Sequence, residues 1–116
     1  MVLRLYRQGD ILIVPVNEIP EAARPLDREN GRIVLAHGEV TGHAHAIVEQ
    51  DAELVGLAEQ ELITPEQAHE LYLHVYGTSP VALVHEEHST IQLPPGKYEV
   101  RRQREYAPDE IRTVAD

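Results

Sequence analysis

The chain has 116 residues and a formal charge of −10, from 20 acidic and 10 basic residues, with 7 histidines and no cysteine. That length suits a single domain with a modest core. The missing cysteines exclude a disulfide framework and any thiolate metal site, and the negative field opposes a phosphate backbone, so nucleic acid is not an expected partner.

No apolar run approaches the roughly 20 residues of a membrane span. The opening MVLRLYRQGD has neither the apolar core nor the cleavage site of a secretory leader. The expectation is a cytoplasmic protein with no membrane partner. Five Tyr with no Phe and no Trp leave little from which to build a stacking platform for bases or sugars.

Along the chain the dominant pattern is the short strand. DILIVPV (10–16) is rich in β-branched residues and is introduced by Gly9 and Asp10. NEIPEAARPLDRENG (17–31), punctuated by Pro20 and Pro25, reads as a long loop. RIVLAHG (32–38) and HAHAIVE (43–49) flank the turn-like EVTG and suit a hairpin. The segment 50–70 breaks the rhythm. Within it Thr64, Pro65 and Gln67 form a helix-start signature, for a short helix near 65–70 or only a turn.

LYLHVYG (71–77), VALVHE (81–86), STIQLP (89–94) and KYEVRRQREY (97–106) read as four further strands, separated by TSP and PPG. The last is basic but interleaved with acids, as on a solvated strand face. The tail APDEIRTVAD suits one helical turn or a frayed end. Seven short strands at regular spacing predict an all-β sandwich or barrel with at most one or two short helices.

The chemistry concentrates in the histidines. Strand residues two apart share a face, so His43 and His45 point the same way, as does Glu49 if the strand reaches it. Two neutral imidazoles on one face make the start of a metal site. A third ligand must come from another strand, and His85 and His88 in LVHEEHSTI, at a break between two strands, are placed to supply it.

His43, His45, His85 and His88 are therefore the candidate metal ligands, for one divalent transition metal. Such a sulfur-free set suits zinc first, with iron, nickel, copper or manganese as alternatives. Glu49 and Glu87 are the candidate catalytic carboxylates, as a general base for water or as groups that orient a ligand. His37 shares the parity of His43, but the intervening turn breaks the phase. His69 is expected on the surface. His74, alternating with Tyr72 and Tyr76, is expected to line a pocket wall.

Two spans resemble the motifs of the cupin superfamily. The first cupin motif runs G-x5-H-x-H-x3,4-E-x6-G. Here Gly38 stands one residue closer to His43 than that spacing, and His43, His45, Glu49 and Gly56 then match it. In the second motif, G-x5-P-x-G-x2-H-x3-N, Pro94 and Gly96 match. His88 replaces the first glycine, Glu99 stands at the histidine position and Gln103 at the asparagine position. The two motifs cover about half the chain.

The resemblance implies a small jelly-roll barrel of seven or eight strands spanning 1–116, a metal held in its mouth, and a homodimer. The missing histidine leaves Glu99, His85 or His88 to complete the site. The expected function is that of a small metalloenzyme acting on a small-molecule substrate. The alternatives are a non-catalytic module whose metal is structural, and a partner-binding barrel with no metal at all.

Overall fold

The computed structural model describes residues 4–102. Gln103, Glu105, Tyr106 and the tail expected to form a helical turn lie outside the described residues.

The N-terminal half carries β1 (Tyr6–Gln8), β2 (Ile11–Val16), β3 (Arg24–Pro25), β4 (Ile33–His37), β5 (Ala44–Ile47) and β6 (Ala52–Leu57). After a 3₁₀ turn at Pro65–Gln67 come β7 (Glu70–Val75), β8 (Val81–His85), β9 (His88–Leu93) and β10 (Gly96–Arg102). They form two antiparallel sheets, one in the order β1-β2-β10-β7-β6-β3 and the other β4-β5-β8-β9. The all-β expectation holds, with ten strands among the described residues rather than seven or eight.

The core lies between the two sheets and follows from side-chain alternation. From the larger sheet Ile11, Ile13, Leu73 and Val100 point inward; Ile47, Leu83 and Leu93 meet them from the smaller one. Leu73, Leu83 and Leu93 are fully buried, each worth about 1.5–3 kcal/mol of transfer from water. On β10 the buried Tyr98 and Val100 alternate with Lys97, Glu99 and Arg101, so those three charged residues face out, while Arg102 shares the parity of the buried pair.

Three strands went unpredicted. β6 runs through AELVGL, where Ala52 and Leu54 are buried and Glu53 is exposed, and it pairs with β7 along its whole length. β1 and β3 are three and two residues long. The Thr64 signature yields the turn rather than the helix: Gln67 Oε1 accepts from the backbone N–H groups of Ile63 and Thr64 at 2.7 and 2.8 Å. No helix among the described residues is long and apolar enough to cross a membrane.

Candidate metal centre

Three hairpin ends meet around the histidines. Gly38 N–H donates to His43 O at 2.8 Å, closing the β4–β5 turn and setting His43 just ahead of β5. His85 and His88 face each other as a cross-strand pair, with Glu86 and Glu87 forming the turn between β8 and β9. Residues opposite each other in an antiparallel pair lie about 4.5–5.5 Å apart, so the HEEH spacing brings its two imidazoles together. The third end is Gly9–Asp10, between β1 and β2. Gly9 has φ +60, a conformation costly for residues bearing a Cβ. A Cβ there would also lie 2.7 Å from His88 Nε2.

The four imidazoles form one cluster. Ring centres are 4.3 Å apart for His45 and His85, 4.8 Å for His85 and His88, 6.1 Å for His45 and His88, and 6.0 Å for His43 and His85. Two imidazoles sharing an ion, each with its nitrogen about 2.1 Å away, place their ring centres roughly 5 Å apart. The cluster comes near that separation at His45–His85 and His85–His88. Its rings are partly stacked, however, and among the described residues no three His, Asp or Glu side chains form a ready-made cage.

His45 is the best-defined member. It is buried, and its Nδ1 lies 2.8 Å from Oε1 of the fully buried Gln8. The Gln8 amide donates through Nε2 to the carbonyls of Leu83 and Ser89, both at 2.9 Å. Those two bonds fix which end of the amide is oxygen. Oxygen only accepts, so Nδ1 of His45 carries the proton and Nε2 keeps its lone pair. Burial, reinforced by His85, pushes the His45 imidazole down to about 4 despite the nearby Asp10 carboxylate. Asp10 Oδ1 stands 3.5 Å from His45 Nε2, and its Oδ2 accepts from Arg102 Nε at 3.1 Å.

His43 follows the same pattern, with Glu87 Oε2 2.6 Å from its Nδ1. In both histidines a carboxylate or carboxamide holds Nδ1, the arrangement that orients metal-binding imidazoles. His85 differs: its Nδ1 accepts from Glu87 N–H at 3.0 Å, which leaves the proton of the neutral ring on Nε2. Glu86 accepts from Ala44 N–H at 3.0 Å and anchors the start of β5. Imidazoles are donors of the type a borderline divalent metal takes, and His85 would have to give up its contact with Glu87 N–H to offer Nδ1. His45 closes the inner side, while His43 is only partly buried and His88 is exposed to solvent.

Residues 7–103 match a domain family of unknown function, DUF8820. The chain belongs to that family. The matched span contains Gln8, Asp10 and all four clustered histidines. No curated protein and no solved structure matches the chain.

Not every residue singled out in the sequence joins the cluster. Glu49 does not: β5 ends at Ile47, and the Glu49 carboxylate turns to Ala82 N–H at 3.1 Å, beyond the far end of the strand from His43. Glu99 lies on the outward face of β10 and pairs with Arg101 at 2.9 Å, away from the histidines. His74 stands between Glu53 and Lys97 on neighbouring strands, on the outward face of the larger sheet rather than on a pocket wall. His69 is exposed, as expected.

His37 is held elsewhere, with Nε2 2.9 Å from Glu29 and Nδ1 2.9 Å from Glu66. Gln8 and Asp10 were missed as site residues. The signal for them was the Gly9–Asp10 dipeptide, which suits a two-residue hairpin turn and would have added β1 and its side chains to the site.

Proposed function

We propose that this chain is a cupin-like metal protein in which His43 and His45, with His85 or His88, hold one divalent transition metal, zinc foremost. The observation that carries the reading is the Gln8–His45 pair. A buried amide, its orientation fixed by two carbonyls, sets a buried imidazole so that the lone pair of the neutral ring is on Nε2. A hydrogen-bond partner of this kind on Nδ1 is what orients a metal-binding imidazole.

The activity we infer is metal-dependent conversion of a small substrate. When bound, a zinc-type ion lowers the pKa of water at an open position and supplies a nucleophile for hydration or hydrolysis; iron or manganese instead suits oxygen chemistry or isomerisation. The residues around it have their own tasks. Glu87 orients His43 and, being half-exposed, is within reach of solvent for proton exchange. His88, exposed at the rim, would move a proton or complete the ligand set. Gln8 and the packed rings keep water from the inner side of His45.

A second reading is favoured by the number of donors. Four imidazoles exceed what an open catalytic site needs, and a site closed by four protein ligands would tie β5 to the β8–β9 hairpin without catalysis.

The test is elemental analysis of the purified protein beside the His43→Ala/His45→Ala double variant. One metal per chain, lost in the variant, is expected. Full occupancy in the variant would sink the assignment. An exchangeable water on the bound metal selects the enzyme, and its absence selects the structural site.

A further inference from the structure

We propose that Asp10 is an oxygen donor to the same ion, which makes the centre a mixed imidazole–carboxylate site for a borderline divalent cation. This rests on the metal-binding reading above and adds a ligand that lies outside the histidine motifs.

The argument begins with lone pairs. Gln8 accepts from His45 Nδ1, so the lone pair of His45 is on Nε2. Asp10 Oδ1 faces that nitrogen at 3.5 Å. In the neutral ring two acceptors thus face each other, and either a cation or a second proton on Nε2 relieves that contact. The separation is informative. Two donors each about 2.1 Å from one ion, at the tetrahedral angle, lie roughly 3.4 Å apart, which agrees with the 3.5 Å between Nε2 and Oδ1.

The carboxylate is also aimed. Arg102 Nε donates to Oδ2 at 3.1 Å, and the guanidinium is itself tied to His37 O at 2.7 Å. One oxygen is anchored and the other is directed at His45. The turn that carries Asp10 leaves room for the cluster, because a Cβ on Gly9 would meet His88 Nε2. Gln8 and Asp10 therefore each meet His45, and Gly9 between them leaves space for His88. A carboxylate beside imidazoles widens the metals accepted toward manganese and iron(II), since oxygen donors suit harder ions and imidazole suits zinc, nickel and iron.

The competing occupant of the gap is a proton on His45 Nε2, and cobalt(II) separates the two. The wild type, Asp10→Asn, Asp10→Glu and Arg102→Gln are each titrated with Co²⁺ and followed by visible absorption, with circular dichroism to verify folding. Asp10→Asn is expected to weaken Co²⁺ binding at least tenfold and to change the absorption of the residual complex. Asp10→Glu is expected to bind with a shifted spectrum. Arg102→Gln, which removes the guanidinium but leaves the Asp10 carboxylate in place, is expected to keep the wild-type band positions.

Unchanged affinity and spectrum in both Asp10 variants, with the wild type binding Co²⁺, would overturn the role of Asp10 and leave the histidine site standing. The same spectral change in Arg102→Gln as in Asp10→Asn would overturn it too, by reducing Asp10 to a structural partner. No Co²⁺ binding by the wild type would remove the metal reading and this inference together.

Discussion

At the scale of single residues, Gln8 is the side chain on which the histidine cluster depends most. It is fully buried and makes three hydrogen bonds, to Leu83 O, Ser89 O and His45 Nδ1. Buried polar groups left without partners cost about 1–3 kcal/mol each. Gln8→Leu keeps the volume but strands two carbonyls and an imidazole N–H. Its urea midpoint is therefore expected to fall by the equivalent of about 1–3 kcal/mol, more than for a surface substitution. Metal affinity is expected to fall about 10–100-fold, the usual loss when the partner of a ligating imidazole is removed. Unfolding curves and a metal titration on the same protein check both. Stability lost with affinity unchanged would show that Gln8 is a packing residue with no part in setting His45.

At the scale of elements, what could be read from the sequence depended on which signal each element carries. HAHAI and HEEH were legible because spacing carries the signal: the rings of His43 and His45 both approach His85, and a two-residue turn sets His85 opposite His88. β6 was not legible. Ala52, Glu53, Leu54 and Leu57 sit in a stretch rich in residues that favour helices, and only pairing with β7 makes it a strand. β3, two residues with a proline, has no local signature. Gln8 was hidden for a similar reason: a buried amide on a three-residue strand gains its meaning from the carbonyls of another sheet. The expectation for Glu49 failed because β5 ends two residues before it.

The same scale holds a pH-dependent clamp. His37, at the end of β4, sits between Glu29 and Glu66, and Arg102 approaches Glu66 at 3.6 Å. The Glu29 hydrogen bond raises the His37 pKa above 6.5 against the effect of partial burial, with Glu66 adding to the rise. On Glu66, burial is outweighed by the backbone N–H and ring of His37, so its pKa falls below 4.5.

The signs then follow. The contribution of His37 is fully present below its unfolded value and is lost as pH rises through the raised folded one. That of Glu66 is present above its unfolded value and is lost as pH falls through the depressed one. The clamp is complete between about pH 4.5 and 6.5. The stability gap between wild type and His37→Asn, from urea midpoints, is expected to be widest there and to close on going alkaline. A gap constant from pH 5 to 9 would show that protonated His37 contributes nothing, as solvent screening of a pair this exposed would allow.

At the scale of the whole molecule, a charge of −10 spread over 116 residues repels itself, and any cation offers some relief. Specific metal binding must be told apart from that general effect. A ligand that binds only the folded chain stabilises it by RT ln(1 + [L]/Kd), about 2.7 kcal/mol at a hundredfold excess over Kd. For a domain of this size each kcal/mol shifts Tm by roughly 4–8 °C.

Zinc at a hundredfold excess over its Kd is therefore expected to raise Tm by roughly 10–20 °C, and a chelator to reverse the rise. Magnesium at equal ionic strength is the control, because it screens the same surface charge but binds poorly to imidazole. The His43→Ala/His45→Ala variant is expected to respond to zinc no more than to magnesium. Equal shifts from zinc, magnesium and added sodium chloride in the wild type would mean that the molecule responds to cations through its net charge alone, and that the meeting of three hairpin ends around the histidines does not create a metal site.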